Sequence, residues 1–362
     1  MKKVLSLVLM LGMVLSASLC FAEFDLGETS LGSGMDIHGY YEFEYWDTQG
    51  ERETFDAHKI TIWMGKAVVP DKVFVSGEFE WEHFPRHNDA AADEAGGDGE
   101  IKLDSAQVSI TPNNTCRAYV GVFYVPFGIE YESYPGHKNK LITRPIAFKG
   151  GKSIVPGTWS DVGIGFEHKI PSVGKIDVYA VNGDAVTGGV SRDNKAGGNS
   201  AKSIGARISL DGLAEGINVG ASYVSGRYSA DGAVKDLDSE RIGVHLRAGL
   251  PVMGLTLITE YVQGTDDDAS AVATKDAESE GLYVQLSIEP VSGLELVARY
   301  DEVDADTEVK AANRDISKSV GIGYALYDHL KLKAEYQANG NPGADGVAGK
   351  DDVVVVGLVA DW

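Results

Sequence analysis

Five basic side chains lie close together in one stretch of an otherwise acidic chain. They are Lys138, Lys140, Arg144, Lys149 and Lys152, and from residue 125 to 158 they face only Glu130 and Glu132, a local formal charge of +3. The whole chain of 362 residues carries a formal charge of −22. A cluster of cations lowers the energy of an anion in a narrow space with low dielectric walls. The chemistry that this stretch could perform is therefore electrostatic selection of small anions or dipolar solutes.

Outside this basic stretch, apolar and polar residues alternate with a period of two along nearly all of the chain, which predicts strands with two unlike faces. Such strands must form the scaffold that positions the basic side chains. Val75, Phe79 and Trp81, for example, share one face, and Glu78 and Glu80 share the other. The alternation predicts sixteen strands, at residues 36–45, 59–64, 73–82, 101–111, 116–124, 160–169, 175–182, 202–210, 216–228, 238–249, 254–263, 280–288, 293–303, 315–326, 330–339 and 351–362.

The connections between these strands alternate between short turns and long loops rich in Gly, Asp, Ala and Asn. This alternation, an even strand count and short strands are typical of barrels in the outer membrane. In hydrocarbon every backbone N–H and C=O group needs a partner, so a sheet that crosses it must close on itself. We predict an all-β fold, a closed antiparallel transmembrane β-barrel. The alternative is a soluble all-β protein that buries its apolar face.

The stretch from Val125 to Trp159 is the third long loop, and it carries many bulky apolar residues without a regular period. Loops of this length are usually functional or disordered, and the apolar content argues against disorder. We expect this extracellular loop to fold into the pore and to form a constriction that includes the five cations. Alternatively, it lies outside, where its lysines bind phosphates of lipopolysaccharide.

The polar faces of the strands would line such a pore, and their charges segregate along the chain. Early strands place Glu42, Glu44, Glu78, Glu80 and Glu82 inward, and later strands place Arg117, Arg207, Arg241, Arg247, Arg299, Lys331 and Lys333 inward. Opposed acidic and basic arcs produce a field across the bore. We expect a weak preference for anions at the basic constriction. Three alternatives stay open: a cation preference set by the total charge, acids that are merely a solvated strand face, and arginines paired within the wall.

The N-terminus resembles a secretory signal peptide, with Lys2 and Lys3 before an apolar run and Cys20-Phe21-Ala22 as a cleavage site. This predicts a signal peptide at residues 1–22, a barrel at residues 23–362, and export to the outer membrane. Acylation at Cys20 is the alternative. The mature chain then keeps one cysteine, Cys116, which excludes an internal disulfide.

A series of short motifs resembles the phosphate-selective porin O/P family. The motifs are Phe55-Asp56-Ala57-His58-Lys59, Tyr119-Val120-Gly121, Val125-Pro126-Phe127-Gly128-Ile129-Glu130, Arg144-Pro145, Asp161-Val162-Gly163-Ile164 and Val181-Asn182-Gly183, and they cover the first half of the mature chain. The resemblance implies a homotrimeric porin whose third loop folds inward, and a preference for anions such as phosphate. His58-Lys59 departs from the family pattern, which usually has an arginine there.

Other functional classes find little support in the sequence. The chain has no GxSxG, HExxH or P-loop motif, and its eight histidines lack metal-ligand spacing. We therefore expect no enzyme activity, no cofactor, no metal and, given the acidic charge, no nucleic-acid partner. The expected partners are membrane lipid, lipopolysaccharide and small hydrophilic or ionic solutes. Three alternatives are a barrel-embedded hydrolase, a structural or adhesive barrel, and divalent-cation binding by acidic loops such as the one with Asp266, Asp267 and Asp268.

Overall fold

A closed barrel of sixteen antiparallel strands forms the molecule. The computed structural model describes residues 34–49, 53–82, 101–133, 135–148, 153–155, 157, 159–183, 202–228, 237–250, 252–267, 276–307, 314–340 and 352–362. The strands are β1 Met35–Thr48, β2 Thr54–Val69, β3 Val73–Glu82, β4 Ile101–Asn113, β5 Cys116–Tyr124, β6 Ser160–Ile170, β7 Gly174–Val181, β8 Ser203–Ala214, β9 Ile217–Tyr228, β10 Leu237–Gly249, β11 Thr256–Asp266, β12 Ala277–Val291, β13 Leu294–Asp304, β14 Arg314–Tyr327, β15 Leu330–Gly340 and β16 Val353–Asp361. The predicted fold class is confirmed. The predicted signal peptide lies outside the described residues.

Each strand pairs with its neighbours in sequence, and β1 pairs with β16 to close the sheet. Tyr41, for example, faces Ile60 of β2 on one side and Ala360 of β16 on the other. The connections β2–β3, β4–β5 and every second one thereafter are short, so they define the short-turn end of the barrel. Between β5 and β6 lie the short helix α1 Glu130–Ser133 and a 3-10 turn at Ile146–Phe148. No helix in the described part of the chain is long and apolar enough to cross a membrane.

The outward face of the barrel is apolar. Large hydrophobic side chains are exposed there at alternate positions, among them Ile164 (61%), Ile204 (63%) and Val320 (56%). Exposed apolar residues that continue around a whole molecule mark a surface covered by something other than water. A closed sheet pairs the backbone N–H and C=O groups of its strands with one another, as a sheet in hydrocarbon requires.

The interior of the barrel is apolar on one side and polar on the other. Beside β5 to β13, apolar residues of the inward loop pack against inward-facing strand residues in one buried core, which includes Phe127, Ile129, Phe148, Trp159, Tyr119, Tyr179, Val224, Val262, Tyr283 and Val303. Glycines let rings lie flat on this wall: a Cβ at Gly165 would lie 2.3 Å from the ring of Tyr119. One sector of the bore is therefore filled by a dry core, and the remaining sector is polar.

Candidate functional site

The described residues of the loop from Val125 to Trp159 lie inside the bore, because they contact strands around the barrel. The backbone N–H of Gly128 donates to Ser222 Oγ of β9 over 2.9 Å. The N–H of Ile129 donates to the carboxylate of Glu260 on β11, at 3.2 and 3.3 Å to its two oxygens. Gly128 has φ +63°, and a Cβ there would lie 1.7 Å from Glu260 Oε1. Glycine is therefore required for this close approach.

A second set of bonds holds the middle of the loop against β13 and β15. Arg299 donates from Nη1 to the carbonyl of Thr143 over 2.8 Å and from Nη2 to its hydroxyl over 2.9 Å. Glu335 Oε2 accepts the N–H groups of Ile142 (2.7 Å) and Thr143 (2.8 Å). Asp301 balances the charge of Arg299 from 2.8 Å. The backbone of Thr143 is thus bonded on both its donor and its acceptor side.

Two more cations that were predicted to line the pore also bind the loop. Lys333, which is 2% exposed, donates to the carbonyls of Gly136 (2.6 Å) and Asn139. Arg207, which is 1% exposed, donates to the hydroxyl of Tyr131 and to Glu132, each over 2.8 Å. Buried cations with carbonyl and carboxylate partners stabilise one loop position. Arg207, Arg299 and Lys333 are therefore placed beneath the loop rather than beside open space.

Arg241, the inward arginine of β10, holds the last part of the loop. It donates to the carbonyl of Ile154 over 2.8 Å and pairs with Asp266 over 2.8 Å. Arg207, Arg241, Arg299 and Lys333 are thus buried inward cations that anchor the described part of the loop.

The acidic wall formed by β1 to β3 is partly covered as well. Glu42, Glu44 and Glu80 are at most 7% exposed. Lys59 lies 3.2 Å from Glu80 and 3.8 Å from Glu82, so two of the predicted pore acids share one lysine. Of the row Glu78, Glu80 and Glu82, Glu78 lines a cavity next to the loop.

Two polar cavities flank the loop. One, of about 320 Å³, lies beside β2 to β7, and the other, of about 290 Å³, lies beside β10 to β12. Lys138 and Glu132 line both. The charged residues around the two cavities are five acids, Glu78, Glu130, Glu132, Glu167 and Asp177, and five bases, Arg117, Lys138, Lys140, Lys175 and Arg247.

Lys138 differs from the other predicted constriction cations. Its side chain is exposed to the cavities and forms no ion pair with any residue that the structure describes. Lys140 instead pairs with Glu295 of β13, and Arg144 is half-buried. Lys149 and Lys152 lie outside the described residues. Lys138 is therefore the predicted constriction residue whose charge is available to a passing ion.

The remaining predicted lining cations keep partial access to the bore. Arg117 lies 3.2 Å from Glu167, with its side chain 40% exposed, and Arg247 lies 3.6 Å from Glu132, with its side chain 36% exposed. Lys331 is half-buried near the short-turn end of β15. Arg117 and Arg247 are accessible to solvent, but their acidic partners offset much of their charge.

The two acids of the loop, Glu130 and Glu132, have pKa values shifted in opposite directions. Burial raises the pKa of Glu130 to about 7, although Arg144 and Arg299 act in the opposite direction. Burial would also raise the pKa of Glu132, but Arg207, Arg247 and Lys175 together lower it. The carboxyl of Glu132 therefore favours its ionised form, whereas burial favours the neutral form of Glu130.

Sequence reasoning missed Glu260 and Glu335, whose carboxylates accept backbone N–H groups of the loop. Both lie on inward faces of strands, so the alternation places them in the bore, but it does not reveal the loop contact. It also missed the approach of His58 to Glu44, at 3.6 Å, because the two residues meet only through strand pairing.

Comparisons with known proteins show the fold. No protein-family model matches the sequence, and no curated protein matches it. Among solved structures, the outer membrane channel DcaP of Acinetobacter baumannii has a TM-score of 0.65 at 14% identity, over 93% of this chain and 100% of that chain. An anion-selective porin from Comamonas acidovorans has a TM-score of 0.65 at 14% identity, over 91% of this chain and 99% of that chain. OmpT, an outer membrane protein of Vibrio cholerae, has in its trimer form a TM-score of 0.60 at 12% identity, over 91% of this chain and 99% of that chain. The phosphate-selective O/P assignment stays a prediction.

Proposed function

We propose that the protein is a channel of the outer membrane through which small hydrophilic solutes diffuse passively. The observation that carries this proposal is a loop anchored inside a closed sixteen-stranded barrel, with charged cavities on both sides of it. Passive diffusion needs a polar path of defined width and charge. Solved structures with the same fold include one named as a channel and one named as an anion-selective porin, which supports the proposal.

The channel prefers anions weakly at its constriction. Five acids and five bases surround the cavities, so their formal charges cancel. Burial raises the pKa of Glu130 to about 7, which reduces its negative charge at neutral pH. Lys138, one of the five bases, has no ion-pair partner in the described chain, so its charge stays available to a solute. The small positive excess attracts anions, and the resemblance to the phosphate-selective family extends the proposal to phosphate.

Planar-bilayer recordings test the proposal. Under a KCl gradient, the reversal potential should indicate a small anion preference, and phosphate should compete with chloride for passage. The Lys138→Gln variant should shift the reversal potential toward cations, because it removes the unpaired charge. Lys72→Gln is the matched control: Lys72 lies in a short turn at the barrel end, where its Nζ donates to the carbonyl of Pro112 over 2.8 Å.

The outcomes separate the functional classes. A wild-type channel that prefers cations at low salt overturns the anion preference and favours selection by total charge. A barrel that inserts but does not conduct favours a structural or adhesive role. Equal reversal potentials for the wild type and Lys138→Gln remove Lys138 from the selective path.

The protein assembles as a homotrimer in contact with lipid and lipopolysaccharide, after cleavage of the signal peptide at residues 1–22. The apolar outer face supports contact with lipid, and a structure of the same fold is described as a trimer. Cell fractionation and native mass spectrometry test this proposal. A monomer in mild detergent, or a protein found in the periplasm, would contradict it.

A further inference from the structure

Three potential metal ligands meet on the inner wall of β1 and β2, away from the cavities described above. The ligand atoms of Glu42, Glu44 and His58 all lie within 4.8 Å of one another. His58 Nδ1 is 3.6 Å from Glu44 Oε2 and 3.3 Å from Asp56 Oδ2. The cluster therefore combines an imidazole with two carboxylates, and a third carboxylate lies beside it.

A β-bulge builds this cluster. Glu42 faces Lys59 across the ladder, but Glu44 faces Asp56, so β2 has one extra residue between the two pairs. In an unbroken register, His58 would point to the outer face, opposite to its neighbour Lys59. Bulges re-aim side chains in this way, and they are frequent next to functional sites. Here the bulge turns the imidazole of His58 toward the carboxylate of Glu44.

The buried carboxylate of Glu42 gives a second, independent indication of a bound ligand. It is 7% exposed, and it forms no hydrogen bond or ion pair with the residues that the structure describes. Gly136 of the loop covers it so closely that a Cβ there would lie 1.2 Å from Glu42 Oε1. Glu44, 5% exposed, accepts a hydrogen bond from Trp46 Nε1 over 2.7 Å. Two adjacent buried carboxylates are costly unless a cation compensates them.

The neighbouring lysine does not supply that cation. The positive charge of Lys333 interacts electrostatically with Glu42. Its Nζ, however, donates hydrogen bonds to the carbonyls of Gly136 and Asn139. It is not within ion-pair distance of Glu42 in the structure. The unpartnered carboxylate is instead directed at Glu44 and His58.

We propose that Glu42, Glu44 and His58 bind one divalent transition-metal ion of the zinc class. Imidazole and carboxylate together suit zinc and its neighbours in the periodic table, whereas calcium and magnesium prefer oxygen ligands alone. Bonds of about 2.1 Å at tetrahedral angles hold ligand atoms about 3.4 Å apart. The ligand atoms of the cluster, which lie 4.8 Å or less from one another, must therefore move closer by up to about 1.4 Å, a shift that side-chain rotation can supply. Asp56 adds negative charge beside the imidazole. The site does not depend on whether the barrel conducts.

Zinc titration of the refolded full-length chain tests the proposal. The protein is stripped with a chelator in detergent, and Zn²⁺ is added at about pH 7.5, where a typical imidazole is neutral. Calorimetry should show one Zn²⁺ per chain. Glu42→Gln and His58→Gln should each weaken binding by about tenfold or more. His329→Gln is the matched control, because His329 pairs with Asp361 at the short-turn end, 3.1 Å away.

A second measurement needs no variant. Diethyl pyrocarbonate modifies accessible imidazoles, and mass spectrometry locates the product. Zn²⁺ should slow modification of His58 in the wild type and leave modification of His329 unchanged. The proposal is overturned if the wild type binds no Zn²⁺, if it binds Ca²⁺ but not Zn²⁺, if the Glu42 and His58 variants keep wild-type affinity, or if His58 is not protected.

Discussion

Replacing Arg299 with leucine should loosen the middle of the inward loop. Arg299 is 3% exposed, and its guanidinium donates to both the carbonyl and the hydroxyl of Thr143, at 2.8 and 2.9 Å. Its Nε donates to Asp301 over 2.8 Å. Leucine removes these three bonds and a fourth, from Nη2 to the carbonyl of Arg144 over 3.1 Å. It also leaves the carboxylate of Asp301 buried without its cation.

The free-energy cost of Arg299→Leu can be estimated because Arg299 and Asp301 form a buried ion pair. Removing one partner of a buried ion pair costs about 3–5 kcal/mol, and every 1.4 kcal/mol is a factor of about ten in an equilibrium. If half of the cost falls on the contact with the loop, the ratio of docked to undocked loop drops by about tenfold to sixtyfold. Glu335 still holds Ile142 and Thr143, so the loop stays partly docked. The bore should therefore become wider for part of the time.

Single-channel conductance and liposome swelling with sugars of increasing size measure this width. We expect Arg299→Leu to raise conductance, to admit larger sugars and to expose the loop to trypsin at Lys138 and Lys140. Arg314→Leu is the control, because Arg314 pairs with Glu302 at the other end of the same ladder, where its side chain is 52% exposed.

The double variant Arg299→Leu with Asp301→Leu separates the two roles of the arginine. Replacing both members of a buried pair with apolar residues often restores stability. The thermal midpoint should therefore recover, while conductance and trypsin cleavage stay raised because the bonds to Thr143 are still missing. If Arg299→Leu lowers the midpoint but keeps wild-type conductance and resistance to trypsin, Arg299 stabilises the wall alone and the reasoning fails.

Two further predictions concern the start of the loop. Because burial raises the pKa of Glu130 to about 7, its carboxyl is mostly neutral at about pH 6 and ionised at about pH 8. Anion preference should fall over this range, and Glu130→Gln should keep the low-pH preference throughout. Burial lowers the pKa of His137, which shifts its titration toward lower pH. A Glu130→Gln channel that titrates like the wild type would contradict the assignment. Gly128→Ala should cost about 1–3 kcal/mol in thermal unfolding, because alanine is strained at positive φ and its Cβ would meet Glu260 1.7 Å away. Gly249→Ala, whose nearest atom is 3.7 Å away, is the control, and equal midpoints for the two variants would refute the argument.

The barrel could be predicted from the sequence because its two faces meet different surroundings. β13, for example, spans Leu294–Asp304, and the alternation predicts it at residues 293–303. The prediction is weaker for β2, which begins at Thr54 instead of residue 59. The bulge between its two registers shifts the alternation by one residue, so the period of two is lost before Lys59. Because of this bulge, the sequence pattern does not reveal the start of β2, although it predicts the rest of the strand.

The site could be predicted only in part. The inward position of the loop follows from its apolar content, and the structure confirms it. The roles of the inward cations do not follow, because alternation gives the face of a side chain and not the group across the bore. Arg299 and Thr143 are 156 residues apart, and nothing local distinguishes Arg299 from Lys331, which has no bond to the loop in the described chain.

The loop is fixed from two sides, and this determines how the bore can be selective. Phe127, Ile129 and Phe148 belong to the dry core on one side, while Arg299 and Glu335 bind the loop backbone on the other. A segment with buried apolar contacts and hydrogen-bonded backbone groups opens at a higher cost than an exposed loop. The width of the bore is then set when the chain folds, and the loop is a constriction rather than a gate. Selectivity must come from charges that remain accessible once every anchor is bonded, which is why one loop cation without an ion pair should matter more than the larger number of buried ones.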